Sequence, residues 1–132
     1  MDETRNIVEI KEGKRRSLDR LYRLSYWFSN EMFKYIAEEE ELEKKCKEAA
    51  ENGTTVILVS AATNNKRCMQ GCLQATNEAI NFLRKKENED SLEMWQLDGI
   101  NAMLDRCKKD ECIPFDIPYA IQGILGMWDE MG

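Results

Sequence analysis

Ser17-Leu18-Asp19-Arg20-Leu21-Tyr22-Arg23-Leu24-Ser25-Tyr26-Trp27-Phe28-Ser29-Asn30-Glu31-Met32-Phe33-Lys34-Tyr35-Ile36 carries its apolar side chains at steps of three and four. Leu18, Leu21, Leu24, Trp27, Phe28, Met32, Tyr35 and Ile36 then share one stripe of an amphipathic helix, with Ser17 as its N-cap. Residues Glu38 to Glu51 extend the pattern in strong helix formers, through Leu42, Cys46 and Ala49, until Asn52-Gly53 supplies a stop. A helix from Leu18 to Glu51 would be roughly 50 Å long at 1.5 Å per residue. One that long needs a partner alongside it. Upstream, residues 1–16 read as a flexible basic arm, with Asn6 to Ile10 as a short extended segment.

The partner comes from the following residues. Val56, Val59, Ala62, Met69, Cys72, Leu73, Thr76, Ala79, Ile80 and Leu83 keep the helical rhythm, which predicts a second long helix, kinked near Asn64 and antiparallel to the first. The competing reading makes Thr54 to Val59 a buried strand, because the run is β-branched. A lone strand lacks anything to pair with. After a polar break from Lys85 to Asp90, a third helix is signalled by Asp90 or Ser91 as cap and by the stripe Leu92, Trp95, Leu97, Ile100, Met103, Leu104 and Cys107. Pro114 stops it, and Asp116 before Pro118 opens a fourth. That last segment, Tyr119 to Met131, is apolar on nearly every side. It reads either as a central helix or as the surface through which the chain forms a homo-oligomer. The fold class expected is all-α: one domain, an antiparallel bundle of about four helices, two long and two shorter at the C-terminal end.

Composition narrows the function classes. The 132 residues are 42% apolar, enough for one core, and they contain no histidine. Ser-His-Asp and Cys-His nucleophiles, histidine proton shuttles and histidine-bearing zinc sites are therefore ruled out within this chain or a homo-oligomer of it. The net charge of −6 argues against general nucleic-acid binding, which needs a surplus of cations to meet phosphates. No apolar run approaches the roughly 20 residues that span a bilayer, so no membrane association is expected. Five cysteines with no visible secretory signal fit a reducing, cytoplasmic setting.

The charges are unevenly spread. Between Lys11 and Arg23 six cations face two carboxylates, whereas residues 87–132 hold three cations against eleven carboxylates. A basic cluster at the start of a helix opposes the macrodipole, so helix stability does not account for it. Arg16, Arg20 and Arg23, with Tyr26 and Phe33 off the main stripe and Trp128 in the last helix, form the candidate partner-binding set. The plainer reading is a solvated charged face over a packed core. A second candidate set is Asn64, Asn65, Lys66 and Arg67, donors suited to a phosphate but without the glycines of a P-loop. Glu38 and Glu41, spaced one helical turn apart, with Glu78 and Asp98, are the carboxylates that a metal-dependent reading would use. Cys68, Cys72, Cys107 and Cys112 have none of the common zinc or cluster spacings and read as small buried hydrophobes.

No catalytic group, cofactor or metal is therefore expected. The sequence favours a non-enzymatic protein-binding module, such as an adaptor, inhibitor or immunity-type antagonist, with a protein partner. The alternative is a binder of a small phosphorylated ligand or nucleotide, extending to a metal-dependent all-α nucleotide hydrolase.

Overall fold

The computed structural model describes residues 7–53, 61–109 and 115–127, and among these there is no strand. Five helices follow in order: α1 (Ile7–Glu51), α2 (Ala61–Arg84), α3 (Lys86–Glu89), α4 (Met94–Lys109) and α5 (Ile117–Ile124). The all-α class and the pairing of two long helices stand as the sequence predicts.

Neighbouring residues fix the directions of the helices. Lys66 meets Glu39 and Asn77 meets Ser25, so α2 runs antiparallel to α1. Gly13 faces Leu97, Ser17 meets Asn101 and Arg20 meets Asp105, an order that makes α4 parallel to α1. Cys72 meets Phe115 while Gln122 meets Ala75 and Glu78, so α5 runs with α2. The result is a four-helix ring of α1, α2, α5 and α4 in up-down-up-down chain order, with the short α3 against α2 in the connection from α2 to α4.

The core lies inside that ring. Ile10, Leu21, Leu24 and Phe28 of α1 pack with Met69, Cys72, Ile80 and Leu83 of α2, Leu97, Ile100 and Leu104 of α4, and Ile117 and Ile121 of α5. Phe28 is the largest side chain with no exposure at all, and Trp27 meets its ring edge-on at 5.2 Å between centroids.

Several local expectations are corrected. α1 begins at Ile7 rather than Leu18, so residues 7–16 are neither a flexible arm nor an extended segment. Ile10 and Gly13 are buried in this upstream stretch, Ile10 in the core cluster and Gly13 against Leu97 of α4. Gly13 is placed where a Cβ would come within 3.0 Å of Leu97 Cδ1, so its bare backbone sets the close approach of α1 to α4. Ser17 caps nothing. It is fully buried in mid-helix, and its Oγ accepts a hydrogen bond from Asn101 Nδ2 at 3.1 Å.

The cap of α4 is Glu93, not Asp90 or Ser91. Gln96 reaches back so that its Oε1 accepts the Glu93 backbone N–H at 2.8 Å, half of a capping box. The polar break before it holds α3, tied down by a 2.7 Å ion pair between Lys14 and Glu89. The Lys14 ammonium holds the Glu89 carboxyl below the usual carboxylate range by hydrogen bonding to it. Cys46 and Trp95, assigned to apolar stripes by spacing, are exposed. The strand-or-helix question at Thr54 to Val59 and the stop at Pro114 fall outside the described residues.

Two helix ends behave as read. Asn52-Gly53 closes α1, with Gly53 at φ 72° and its N–H donating to Ala50 O. Asp116 precedes α5 with Pro118 in its first turn, although the Asp side chain makes no cap hydrogen bond. Gly126 terminates α5 at φ 74°: its N–H donates to Gly123 O and the Met127 N–H donates to Gln122 O, a Schellman closure.

Candidate functional site

α1 presents two unlike faces because it carries two overlapping apolar rhythms. At 100° per residue, its buried residues Ile10, Gly13, Ser17, Leu21, Leu24 and Phe28 cluster about one direction, and Tyr22, Tyr26 and Phe33 lie within about 40° of one another on roughly the opposite side. These three aromatics are 47%, 71% and 61% exposed. Phe28 is the last buried residue of the helix, and from there toward Glu51 the side chains are exposed or half-buried. An aromatic stripe of this length on a helix back is more than scattered surface hydrophobes, and it lies between two charged blocks of opposite sign.

The N-terminal block is basic. Arg15 pairs with Glu12 at 2.5 Å and Arg23 with Asp19 at 3.1 Å, both exposed pairs within the helix. Pairs of this kind contribute little to folding and exchange readily with other carboxylates. Arg16 is exposed and lines a groove of about 260 Å³ between the starts of α1 and α4, with Val8, Met94 and Leu97 on its apolar side. The far block is Glu38-Glu39-Glu40-Glu41 with Glu43, where Glu39 is engaged by Lys66 at 2.7 Å.

The predicted partner-binding residues therefore separate into two groups. Arg16, Arg23, Tyr26 and Phe33 are exposed on α1. Arg20 is not available in the same way. Its Nη1 donates to Asn101 Oδ1 at 3.0 Å and to the Asn101 carbonyl at 3.2 Å, and its Nη2 pairs with Asp105 at 2.6 Å, which fastens α4 to α1. Trp128 lies outside the described residues.

The phosphate-binding candidates do not assemble into a cradle. The helix begins at Ala61, so Asn64, Asn65, Lys66 and Arg67 sit on its first turns rather than in a loop before it. Asn64 and Arg67 are exposed, and Lys66 is neutralised by Glu39. The carboxylates are likewise dispersed: Glu38 and Glu41 on the far end of α1, Glu78 against Gln122 of α5, and Asp98 on α4. Among the described residues no group of three or more cysteines and carboxylates is arranged to hold a metal ion. Cys72 is buried, its thiol donating to Phe115 O at 3.3 Å, and burial pushes it up to about 11; Cys68 is exposed, Cys107 half-buried, and Cys112 lies outside the described residues.

Sequence reasoning missed the polar contacts that lock the ring. Gln122 is buried and donates to the Ala75 carbonyl at 2.9 Å and to Glu78 at 3.0 Å, and Asn101 links Ser17, Arg20 and the Leu97 carbonyl. Neither residue has a sequence signal, because their partners are remote in the chain. Comparison of the chain with protein-family models, with curated proteins and with solved structures returns no match. No described helix is long and apolar enough to cross a membrane.

Proposed function

We propose that the chain is a non-enzymatic protein-binding module whose docking surface is the outward face of α1. The observation that carries this reading is the exposure of Tyr22, Tyr26 and Phe33 along one line of a helix whose opposite line is the core. Aromatic side chains supply large contact area at low entropy cost, and cations at the rim select carboxylates on the other side. The partner this surface fits carries apolar anchors beside a run of acidic residues. The described apolar side chains of the last helix favour the same assignment, because Ile117 and Ile121 of α5 and Leu125 at its C-cap are buried inside the ring.

The test is photocrosslinking in the native cells with benzoylphenylalanine in place of Tyr26, and in place of the exposed Glu87 as control. A protein adduct at position 26 and none at position 87 is the expected result. No protein adduct at position 26 overturns the reading.

A further inference from the structure

We infer that the occupant of this face is a second copy of the chain, lying antiparallel along α1 about a twofold axis between Tyr26 and Ser29. The inference rests on the reading of the outward face as a docking surface and names its partner. Positions 15, 19, 22, 26, 29, 33, 36 and 40 alternate in steps of four and three, the spacing of a coiled-coil seam. Positions 15, 19, 22, 26, 33 and 40 are exposed on the side of α1 away from Leu21, Leu24 and Phe28, and Ser29 and Ile36 are half-buried at its edge, so a helix could lie along the exposed line without displacing the core.

The seam is self-complementary only in the antiparallel sense. A twofold at its midpoint sets Tyr22 against Phe33 of the second copy and Tyr26 against Ser29, whose small side chain leaves space for the ring. The ends of the seam then place Arg15 against Glu40, twice by symmetry. The wider charge distribution has the same centre. Residues 11–23 hold six cations and two carboxylates, with Lys14 and Arg20 turned inward to Glu89 and Asp105 and the other four cations left for a partner, and residues 38–43 hold five glutamates and no cation, with the aromatic stripe midway between the two blocks. An antiparallel copy lays each basic block on an acidic one. A parallel copy sets Arg15 on Arg15 and Glu40 on Glu40, which repels at both ends. Asp19 falls opposite Ile36 at the flank, where its existing pair with Arg23 keeps the carboxylate satisfied. Arg15 must exchange Glu12 for Glu40, a trade between exposed ion pairs.

The experiment is sedimentation equilibrium on the purified chain with Arg15→Glu, Glu40→Arg and the double variant, each checked for an unchanged helical spectrum. The wild type is expected at twice the mass of one chain. Each single reversal should weaken association on the order of tenfold, and the double variant should restore it, because its pairs are swapped and intact. A chain that stays monomeric, or a dimer indifferent to the reversals, overturns the inference. The crosslink at position 26 separates this from the broader reading. An adduct to a second copy supports both, an adduct to a different protein overturns only the inference, and an adduct within one chain means its own segment covers the face and overturns both.

Discussion

The inner and outer faces of α1 have similar shares of large side chains and opposite fates. The inner line, Ile10 to Phe28, sets Gly13 and Ser17 between Ile10 and the run Leu21, Leu24 and Phe28, so that α4 approaches closely at the small pair, and it is covered by two helices. The outer line holds Tyr22, Tyr26 and Phe33 against solvent. Amphipathicity marks the inner line in the sequence but does not by itself cover it. What separates them is whether a neighbouring helix from the same chain has a matching surface, and α2 and α4 match only the inner line.

The comparison would break most clearly at the paired positions Phe28 and Phe33. Phe28→Ala removes a fully buried ring and should cost about 3–5 kcal/mol, measured by urea denaturation. Denaturation at low protein concentration, where association does not contribute, should show Phe33→Ala within about 0.5 kcal/mol of wild type. Equal losses at the two sites would mean that the outer line is also core.

A smaller effect is expected where polar groups fasten the inner face. Asn101→Ala strips partners from buried Ser17 and half-buried Arg20, and should cost about 1–3 kcal/mol by the same measurement. A loss no larger than that at Phe33 would show that the α1–α4 contact is held by packing alone.

Thiol chemistry sharpens the contrast between inside and outside. With its thiol pushed up to about 11 by burial, Cys72 should alkylate far more slowly at pH 8 than exposed Cys46 and Cys68, read by mass mapping. The raised value has a stability consequence of definite sign. The neutral thiol favours the fold fully below pH 9, the ordinary thiol value, and that contribution is lost as pH rises through about 11. Alkaline melting should therefore be delayed in Cys72→Ala relative to its own neutral-pH stability. A Cys72 that alkylates as fast as Cys46 would remove it from the core.

The smallest expected change is at Tyr26→Ala, within about 0.5 kcal/mol for the isolated chain, because the ring is 71% exposed. A larger loss in dilute solution would mean that another segment of the same chain covers the stripe.

The helical class, the long first and second helices, the stop at Asn52-Gly53 and the start of α5 after Asp116 were legible in the sequence, because each depends on periodicity or on a residue with a special backbone preference. The start of α1 was not. Lys11 to Arg16 looks like a solvated arm until Gly13 is seen under Leu97. Tyr26 and Phe33 were visible as aromatics off the main stripe, and Arg16 and Arg23 as members of a basic cluster that the helix dipole does not favour. The role of Arg20 was hidden, because an arginine that clamps Asn101 and Asp105 has the same local sequence as one that faces water.

Local chemistry in the chain therefore settles the helical class, what ends the first helix and opens the last, and which reactions lack their side chains, since these follow from backbone preference and residue type within a few positions. The parallel course of α4 beside α1, the conversion of Ser17 and Gln122 into buried fasteners, and the half-buried Asn101 that joins α4 to α1 came from packing. Those outcomes depend on contacts between residues some 50 to 80 positions apart, where close approach and hydrogen-bond satisfaction act on surfaces that no local pattern records.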